Sequence, residues 1–320
     1  MKAAVGSPNG LQLRDVPEPQ PKPNEVKVKV RAAGLNRADL GTARGSTSHG
    51  PAGAPVGIEW AGEVVDVGAE AKGFKPGDRV MCSGIGGYAE YAVCDHGRVA
   101  QIPDGMAFLE AAILPISLIT LHDALVTNGR LAAGDNVLIQ GASSGVGLMG
   151  LQIAKLKGAG TVIGSSTNDA RRARLKEFGA DFAIDTRDAD WSDQVMKATG
   201  GKGLNLTVDM VSGATVSQTM RATALLGRIV NVGRLGGQTA EFDFDHHAMK
   251  RISYIGVTFR TRTIEEVREI MRRMRDDIWD AVGARKLTLP LDRTFKLDEA
   301  AAAQEHMRTN QHFGKIALVM

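Results

Sequence analysis

Residues 137–147 have the sequence VLIQGASSGVG, in which an apolar run leads into a turn of small residues. The amphipathic segment Leu148–Ala154 follows directly. The pattern predicts a strand, a tight turn and a helix, whose N-terminus offers free N–H groups and partial positive charge to a pyrophosphate. The alternative is a tight strand-to-helix turn that binds no ligand. The residues predicted to bind the phosphates of a dinucleotide are Ser143, Ser144, Gly145 and Val146.

The sequence around this turn alternates between short apolar runs and helical segments of about 10–15 residues, which indicates βαβ units and a parallel sheet. The predicted strands are Asn136–Gln140, Thr161–Ser165, Phe182–Ile184, Leu206–Met210, Arg228–Val232 and Ser253–Phe259. The helices predicted between them are Gly145–Lys157, Asp169–Phe178, Ser192–Thr199 and Thr215–Leu225. This succession is typical of a doubly wound dinucleotide-binding domain.

The first part of the chain is rich in β-strand patterns instead. Valines and charged residues alternate over Glu25–Arg31, as in a half-buried strand. Further short strands are predicted at Gly62–Val67, Asp78–Met81 and Tyr88–Val93, and residues 41–55 are predicted to form a long loop. After the parallel sheet, we predict a long charged helix near Thr263–Val282 and a β-like tail, Leu287–Met320, that rejoins the first domain.

The composition is that of a soluble globular protein of about two domains, because chains beyond about 250–300 residues tend to split. The 320 residues include 39 basic and 36 acidic side chains, and a net charge of +3 argues against dedicated nucleic-acid or membrane-surface binding. The two cysteines, Cys82 and Cys94, exclude a disulfide scaffold and indicate a reducing compartment. The uncharged stretch 136–154 carries four glycines and several polar residues, so we interpret it as strand, turn and helix rather than a membrane span. We therefore expect a cytoplasmic protein.

The end of the second predicted strand bears on the choice of cofactor. An NAD site usually carries an acid there, which binds the ribose 2′-hydroxyl. Here the strand ends in Ser165 and Ser166, and arginines follow at positions 171, 172 and 174. Because a 2′-phosphate requires hydrogen-bond donors and guanidinium groups, this pattern favours NADPH over NADH. The alternative is that these arginines form a solvated helix face.

The chain resembles the medium-chain dehydrogenase/reductase superfamily, and its zinc-independent quinone oxidoreductase-like branch in particular. The resemblance extends over nearly the whole chain. A short-chain dehydrogenase is disfavoured, because none of Tyr88, Tyr91 and Tyr254 has the lysine four residues on that those enzymes use. Besides the glycine turn, the motifs that carry the resemblance are 32–39 (AAGLNRAD), 57–62 (GIEWAG), 73–80 (GFKPGDRV) and 312–316 (HFGKI).

The resemblance implies an α/β protein in which a GroES-like β-rich catalytic domain, residues 1–116 and 260–320, contains an inserted Rossmann domain, residues 117–259. It implies that nicotinamide and substrate lie in the cleft between the two domains. It also implies a homodimer formed through the last Rossmann strand, near Ser253–Phe259.

The resemblance also bears on zinc. Zinc alcohol dehydrogenases of the superfamily have Cys at the position of Asn36, His at that of Ile58 and Cys at that of Ile116. Since a catalytic zinc requires three protein ligands, we predict that this protein binds none.

Two residues are predicted to lie beside the nicotinamide. Asn36 would donate its amide N–H to a substrate oxygen, and Thr120 would contact the nicotinamide or the substrate. Alternatively, Asn36 only holds its own turn and Thr120 caps a helix that begins there. Other cofactor contacts are implied at Ser166, Thr186, Val232, Gly233, Val257 and Phe259. Arg171 takes the place of the family lysine that meets the 2′-phosphate.

The sequence departs from the family pattern at two positions. Gly41 and Thr186 replace tyrosines that quinone oxidoreductases often carry, and the first change puts simple quinones in doubt as substrates. The predicted function is NADPH-dependent transfer of hydride to a quinone or an activated alkene, with protonation from solvent. The alternatives are an enoyl-thioester or carbonyl reductase, and an NADPH-binding structural or sensor protein without significant turnover.

Overall fold

The computed structural model describes residues 1–44 and 53–320, which form two compact units. The first unit combines Met1–Ile116 with Arg260–Met320, and the second is Ser117–Phe259. The second unit is therefore an insertion in the sequence of the first. Of the predicted loop 41–55, residues 45–52 lie outside the described residues.

Strands and helices are numbered here in chain order. The strands are β1 (Lys2–Ser7), β2 (Gly10–Asp15), β3 (Glu25–Gly34), β4 (Glu59–Val67), β5 (Arg79–Ser83), β6 (Tyr91–Asp95), β7 (Val99–Gln101), β8 (Asn136–Gln140), β9 (Thr161–Ser165), β10 (Phe182–Ile184), β11 (Leu204–Asp209), β12 (Thr223–Asn231), β13 (Ser253–Gly256), β14 (Leu291–Lys296) and β15 (Lys315–Val319). The α-helices are α1 (Arg37–Thr42), α2 (Phe108–Ala111), α3 (Pro115–His122), α4 (Gly145–Leu156), α5 (Asp169–Ala173), α6 (Trp191–Ala198), α7 (Val216–Ala222), α8 (Phe244–Lys250), α9 (Ile264–Gly283) and α10 (Ala300–Arg308). A π-helical turn, Asp123–Asn128, continues α3.

The second unit is built on a six-stranded parallel sheet in the order β10-β9-β8-β11-β12-β13. The strands β8 and β9 lie next to each other near its centre, and their bounds are those that the apolar runs predict. Because all six strands run in one direction, their carboxyl ends lie at one edge, where doubly wound sheets bind ligands. The predicted Rossmann-type architecture is confirmed.

The first unit contains a seven-stranded sheet in the order β14-β15-β3-β4-β5-β7, with β6 also paired to β3. The strand β3 is ten residues long and its valines are buried, because its charges alternate to the other face. Trp60 is completely buried in the core beside these valines. The predicted GroES-like β-rich fold is confirmed.

Several predicted elements differ from the structure. The helix predicted over Thr215–Leu225 ends at Ala222, because Thr223 begins β12 and pairs with Leu204 of β11. The last strand of the sheet ends at Gly256, and the strand predicted from Tyr88 begins only at Tyr91. The tail rejoins the first unit but contains α10, whose residues Ala300, Ala303 and Met307 are buried at helical spacing.

One helical stretch, Phe108–Asn128, is long and apolar enough to cross a membrane by length and composition alone. Of its most apolar 18-residue window, 72% is buried inside the protein, as in the core helix of a soluble protein. The sequence analysis singled out a different stretch, residues 136–154, which forms β8, the glycine turn and most of α4.

The helix α9 is anchored to the sheet of the first unit by an ion pair between Arg268 and Asp95. The guanidinium donates two hydrogen bonds to the carboxylate, at 2.9 and 2.6 Å, and the Asp95 side chain is 7% exposed. Burial raises the pKa of Asp95, but the hydrogen bonds from Arg268 and from the Gly97 N–H outweigh it and hold the pKa below its ordinary value.

We expect Arg268→Met to lower the free energy of unfolding by about 1–3 kcal/mol, because it leaves the Asp95 carboxylate without its cation. The loss should shrink as the pH falls through the lowered pKa of Asp95, since the carboxylate is then neutral. Urea unfolding followed by circular dichroism measures both effects. The matched control is Arg272→Met, which removes an exposed arginine of α9 whose ion pairs, with Glu269 and Asp276, are with residues of the same helix. Equal losses in the two variants would contradict the anchoring role.

Candidate functional site

The glycine turn between β8 and α4 has the geometry that close approach to a ligand requires. Gly141 has a φ of +73°, a region that favours glycine. A Cβ at Gly147 would lie 2.6 Å from Ala142 Cα, so only glycine allows the first turn of the helix to pack on the strand's end. The Ser144 hydroxyl accepts a hydrogen bond from the Gly147 N–H and donates one to the Gly141 carbonyl, each at 3.0 Å. The Ser144 side chain therefore caps α4.

This arrangement fits a pyrophosphate. The helix α4 has 12 residues and begins at Gly145, so the N–H groups of Gly145 and Val146 have no carbonyl partner within the helix. They and the helix dipole form a site for an anion. The Ser143 hydroxyl lies at the same turn, 3.0 Å from the Ser166 hydroxyl. The four predicted phosphate ligands are thus together, with Ser144 able to contribute through its backbone.

The end of β9 carries hydroxyls and arginines, as the sequence predicts, but the arginines differ in what they contact. Arg172 donates to the Ser166 carbonyl and to the Asp185 carboxylate, both at 3.0 Å, and Arg174 pairs with Glu177. Arg172 is therefore held by an acid at the end of β10. Arg171 is half-buried on α5, three residues beyond the Asn168 that caps this helix.

Asp185 and Arg187 at this edge were not found from the sequence. The hydrogen bond from Arg187 lowers the pKa of Asp185 to about 2, so this carboxylate stays ionised and holds two arginines near the end of β9. Thr186, predicted to contact the cofactor, lies between them and is half-buried. The signal available in the sequence was an Asp-Thr-Arg triplet directly after a short strand.

The remaining predicted cofactor contacts follow β12 and β13. Val232 and Gly233 come directly after β12, and Val257 and Phe259 follow β13, so all four lie at the carboxyl edge of the sheet. A polar network missed by sequence analysis supports this edge: Asp209 accepts from the N–H groups of Val211 and Ser212, each at 2.8 Å, and the Ser212 hydroxyl donates to the Gly233 carbonyl at 2.9 Å. Burial raises the pKa of Asp209.

The first unit contains a buried cluster of Asn36, Glu59 and Lys315, called here the Asn36 cluster. Lys315 donates to Asn36 Oδ1 and to the Leu35 carbonyl, each at 2.9 Å, and its ammonium pairs with Glu59 Oε1. Asn36 Nδ2 donates to the same Glu59 oxygen at 2.9 Å. The second oxygen, Glu59 Oε2, accepts from the Ile116 N–H at 2.9 Å.

The sheet brings these three side chains together. Asn36 follows the end of β3, while Glu59 and Lys315 begin β4 and β15, which pair with β3 on its two sides. Gly34 is opposite Glu59 in the register, and a Cβ there would lie 2.5 Å from Glu59 Oε1. A residue larger than glycine at position 34 would therefore displace the carboxylate. The cluster was not predicted, although Glu59 and Lys315 belong to motifs that carried the resemblance.

Two alternatives from the sequence can now be judged. Thr120 lies inside α3, five residues after it begins, so it does not cap the start of a helix. The Asn36 side chain bonds to Glu59 and Lys315 of other strands, so it does more than hold its own turn. Whether either residue contacts a nicotinamide stays a prediction.

The residues at the positions of the zinc ligands do not fit a zinc ion. Isoleucine at positions 58 and 116 offers no side-chain donor, and the Asn36 amide is already bonded to an ammonium and a carboxylate. The Lys315 ammonium already donates to Asn36 Oδ1, the amide atom that could bind a metal ion. Among residues 1–44 and 53–320, no group of three or more His, Cys, Asp or Glu side chains is placed to hold a metal ion.

Next to the cluster, Asp39 and Tyr88 form a second buried pair. Asp39 Oδ2 accepts from the Tyr88 hydroxyl at 2.7 Å and from the Asn36 N–H at 2.8 Å, which fixes the start of α1. Burial raises the pKa of Asp39 to about 7, because both its hydrogen bonds and the Lys315 charge are too weak to offset the lost hydration. Asp39 therefore fixes the start of α1.

We expect Asp39→Asn to remove a pH dependence of stability. A carboxyl whose pKa is higher in the folded than in the unfolded protein binds its proton more tightly when folded, so it stabilises at low pH. This stabilisation is at most about 4 kcal/mol. It is fully present below about pH 4 and is lost as the pH rises from about 4 to about 7. The difference between the free energies of unfolding of wild type and of Asp39→Asn should therefore fall between about pH 4 and pH 7 and stay constant above that range.

Urea unfolding at a series of pH values measures this difference. The matched control is Asp104→Asn, the same substitution at an exposed residue. A difference that slopes equally for both variants, or that rises with pH for Asp39→Asn, would contradict the assignment.

Comparisons with known proteins agree with this geometry. Two family models match the chain: an alcohol dehydrogenase GroES-like domain over residues 22–104, in the first unit, and a zinc-binding dehydrogenase model over residues 145–276, which covers most of the parallel sheet. Although the second family is described as zinc-binding, this chain has Asn, Ile and Ile at positions 36, 58 and 116, where zinc-dependent members have their ligands.

Similar proteins include oxidoreductases of more than one substrate class. Human quinone oxidoreductase is 33% identical over 269 residues, which cover 82% of this chain and 80% of that protein. The crystal structure of quinone oxidoreductase from Pseudomonas syringae pv. Tomato DC3000 is 27% identical, with a TM-score of 0.87 over 100% of this chain and 98% of that one. The CurK enoyl reductase structure is 25% identical, with a TM-score of 0.85 over 100% and 98% of the two chains. The chain is therefore an oxidoreductase that belongs to the medium-chain dehydrogenase/reductase superfamily, in its quinone oxidoreductase-like branch.

Proposed function

We propose that this protein is an NADPH-dependent, zinc-independent reductase that transfers hydride to a quinone or an activated alkene. The observation that carries the proposal is the Asn36 amide, which is held by Glu59 and Lys315 at a position where zinc-dependent relatives have a metal ligand. The reaction then depends on a hydrogen-bond donor rather than on a Lewis acid.

The cofactor preference rests on the end of β9. The hydroxyls of Ser165 and Ser166 occupy the place of the acid that would favour NADH, and they repel no phosphate. Arg171, half-buried on α5, supplies the positive charge for a 2′-phosphate. Asp185 binds Arg172 and Arg187 instead, so this acid is neutralised by its own partners.

NADPH, when bound, supplies the hydride. The chain's own residues bind and orient: the first turn of α4 holds the pyrophosphate, while Ser166 and Arg171 hold the 2′-phosphate. The Asn36 N–H stabilises the negative charge that develops on the substrate oxygen, an effect worth about 3–4 kcal/mol for one well-placed donor. The proton comes from solvent.

Two other functions remain as alternatives. The likeness to an enoyl reductase favours an enoyl thioester as the second substrate class, since its carbonyl oxygen also gains charge when hydride adds to the β-carbon. Gly41 stands where quinone oxidoreductases often have a tyrosine, so the hydroxyl donor of that tyrosine is missing here. A cofactor-binding protein without useful turnover is the alternative of another class.

We expect the purified, EDTA-treated protein to oxidise NADPH faster than NADH when a small quinone or an enone is supplied. Steady-state absorbance at the nicotinamide band measures the rates. Turnover that requires added zinc would contradict the metal-free mechanism, and tight NADPH binding with no turnover on quinones, enones, enoyl thioesters or carbonyls would favour the binding protein.

We expect Arg171→Ala to raise the KM for NADPH by about 10-fold to 100-fold and to leave the KM for NADH unchanged, because it removes a charge-assisted hydrogen bond to the 2′-phosphate only. The matched control is Arg174→Ala, which removes the same charge from a residue that pairs with Glu177. Equal effects on both cofactors, or a larger effect of the control, would overturn the assignment of Arg171.

We also propose that the protein is a cytoplasmic homodimer formed through β13. This strand is at the edge of the parallel sheet, and β12 is the one strand of residues 1–44 and 53–320 that pairs with it, so its other side is available to a second copy. Phe244 and Met249 on α8 are 76% and 73% exposed. Phe242 connects them to the edge strand, since its ring centroid lies 5.0 Å from that of Phe244 and 6.1 Å from that of Tyr254.

Sedimentation equilibrium tests this assembly. Wild type should sediment as a dimer, and Phe244→Glu combined with Met249→Glu should sediment as a monomer, because charges would replace the apolar contact. Leu13→Glu, an equally drastic change at a 42% exposed residue of the other unit, is the control. A dimer that survives the double substitution would place the interface elsewhere.

A further inference from the structure

Hydrogen-bonding capacity fixes the orientation of the Asn36 amide. Lys315 can only donate, so the amide atom 2.9 Å from its ammonium must be the oxygen. An ionised Glu59 can only accept, so the amide atom 2.9 Å from its Oε1 must be the nitrogen. A flipped amide would set an N–H against an ammonium and an oxygen against a carboxylate. The two partners therefore leave one orientation.

The same contacts leave a donor over. The amide nitrogen has two hydrogens, and within residues 1–44 and 53–320 one acceptor, Glu59, is recorded for it. Asn36 is 8% exposed, whereas Glu59 and Lys315 are 0% and 4% exposed. The second N–H is therefore on the residue of the cluster with the largest exposed fraction, which is the one that a ligand reaches most easily.

The charges on either side of the amide act in the same direction. The ammonium lies at the oxygen and the carboxylate at the nitrogen, so both increase the amide's dipole and make its remaining N–H a stronger donor. Glu59 and Lys315 neutralise each other, which allows both to be buried. The pair therefore polarises Asn36 without leaving an uncompensated charge in the core.

We propose that Glu59 and Lys315 are positioning residues for hydride transfer, which act by orienting and polarising the Asn36 amide toward the substrate oxygen. This inference rests on the proposed function, in which Asn36 is the donor. A purely structural ion pair would stabilise the first unit but would leave the chemical step to Asn36 alone.

A double-mutant cycle distinguishes these roles. We expect Asn36→Ala to lower kcat by about 100-fold to 1,000-fold, the range for one lost oxyanion donor. Lys315→Met should lower kcat by about 10-fold to 100-fold with little change in the KM for NADPH, since the amide loses its orientation but not its N–H. Because Lys315 acts through Asn36, the double variant should be no slower than Asn36→Ala. Lys315→Arg, which keeps the charge, should recover most of the rate.

The controls separate a loss of rate from a loss of folding. Lys27→Met removes another buried lysine of the first unit, whose side chain is 8% exposed and pairs with Glu18 2.6 Å away, and its kcat should equal that of wild type. If Lys315→Met does not fold because Glu59 is left unpaired, Glu59→Gln combined with Lys315→Met removes both charges and is measured in its place. Rates for Lys315→Met that match wild type, or losses that multiply in the double variant, would overturn the positioning role.

A readout that does not need turnover separates this inference from the proposed function. The side-chain amide of Asn36 gives a pair of ¹H–¹⁵N resonances, assigned by their absence in Asn36→Ala. They should move upfield in Lys315→Met and stay in place in Lys27→Met. If the resonances move as expected in Lys315→Met but the wild-type protein reduces no acceptor with NADPH, the proposed function alone is refuted. Wild type that turns over while the resonances stay unmoved in Lys315→Met would refute the inference alone.

Discussion

The ion pair between Lys315 and Glu59 connects parts of the first unit that are far apart in the chain. It joins residues 256 positions apart and brings together the starts of β4 and β15 on the two sides of β3. A buried pair of this kind is stable only when the lost hydration is replaced, and here Asn36, Leu35 and Ile116 supply the further hydrogen bonds. Gly34 provides the space for the carboxylate. The orientation of Asn36, and with it the donor available at this edge, depends on all of these contacts.

In the second unit, the candidate anion site is formed by backbone groups rather than by side chains. The glycine turn and the start of α4 present N–H groups, so an anion bound there needs no charged residue from this segment. In the proposed function, discrimination between cofactors is left to the end of the next strand, where Ser166 and Arg171 are found in place of an acid. Asp185 holds Arg172 in a salt bridge at this edge, so that arginine stabilises the fold.

The sequence predicts local features far better than distant pairings. The run from β8 to β9 is predicted to within a residue, because its apolar periodicity and its glycines are local signals. The helix α10 was missed because its first turns are alanines, which bury a narrow face without the large apolar side chains that reveal a period. The Asn36 cluster was missed because no pattern within a window connects Glu59 to Lys315. Only the strand order β15-β3-β4 makes them neighbours.

The Asn36 cluster also bears on which acceptors the chain suits. A metal ion bound directly to a substrate oxygen places a full charge beside it, whereas Lys315 acts through the amide of Asn36 and delivers a smaller field. A simple ketone concentrates the charge gained from hydride on one oxygen, so it benefits most from the stronger cation. A quinone or an enone spreads that charge over a conjugated system, and one polarised N–H offsets a larger share of what remains on oxygen. If Asn36 acts as proposed, the replacement of zinc ligands by an amide between two buried charges therefore favours conjugated acceptors over simple carbonyl compounds.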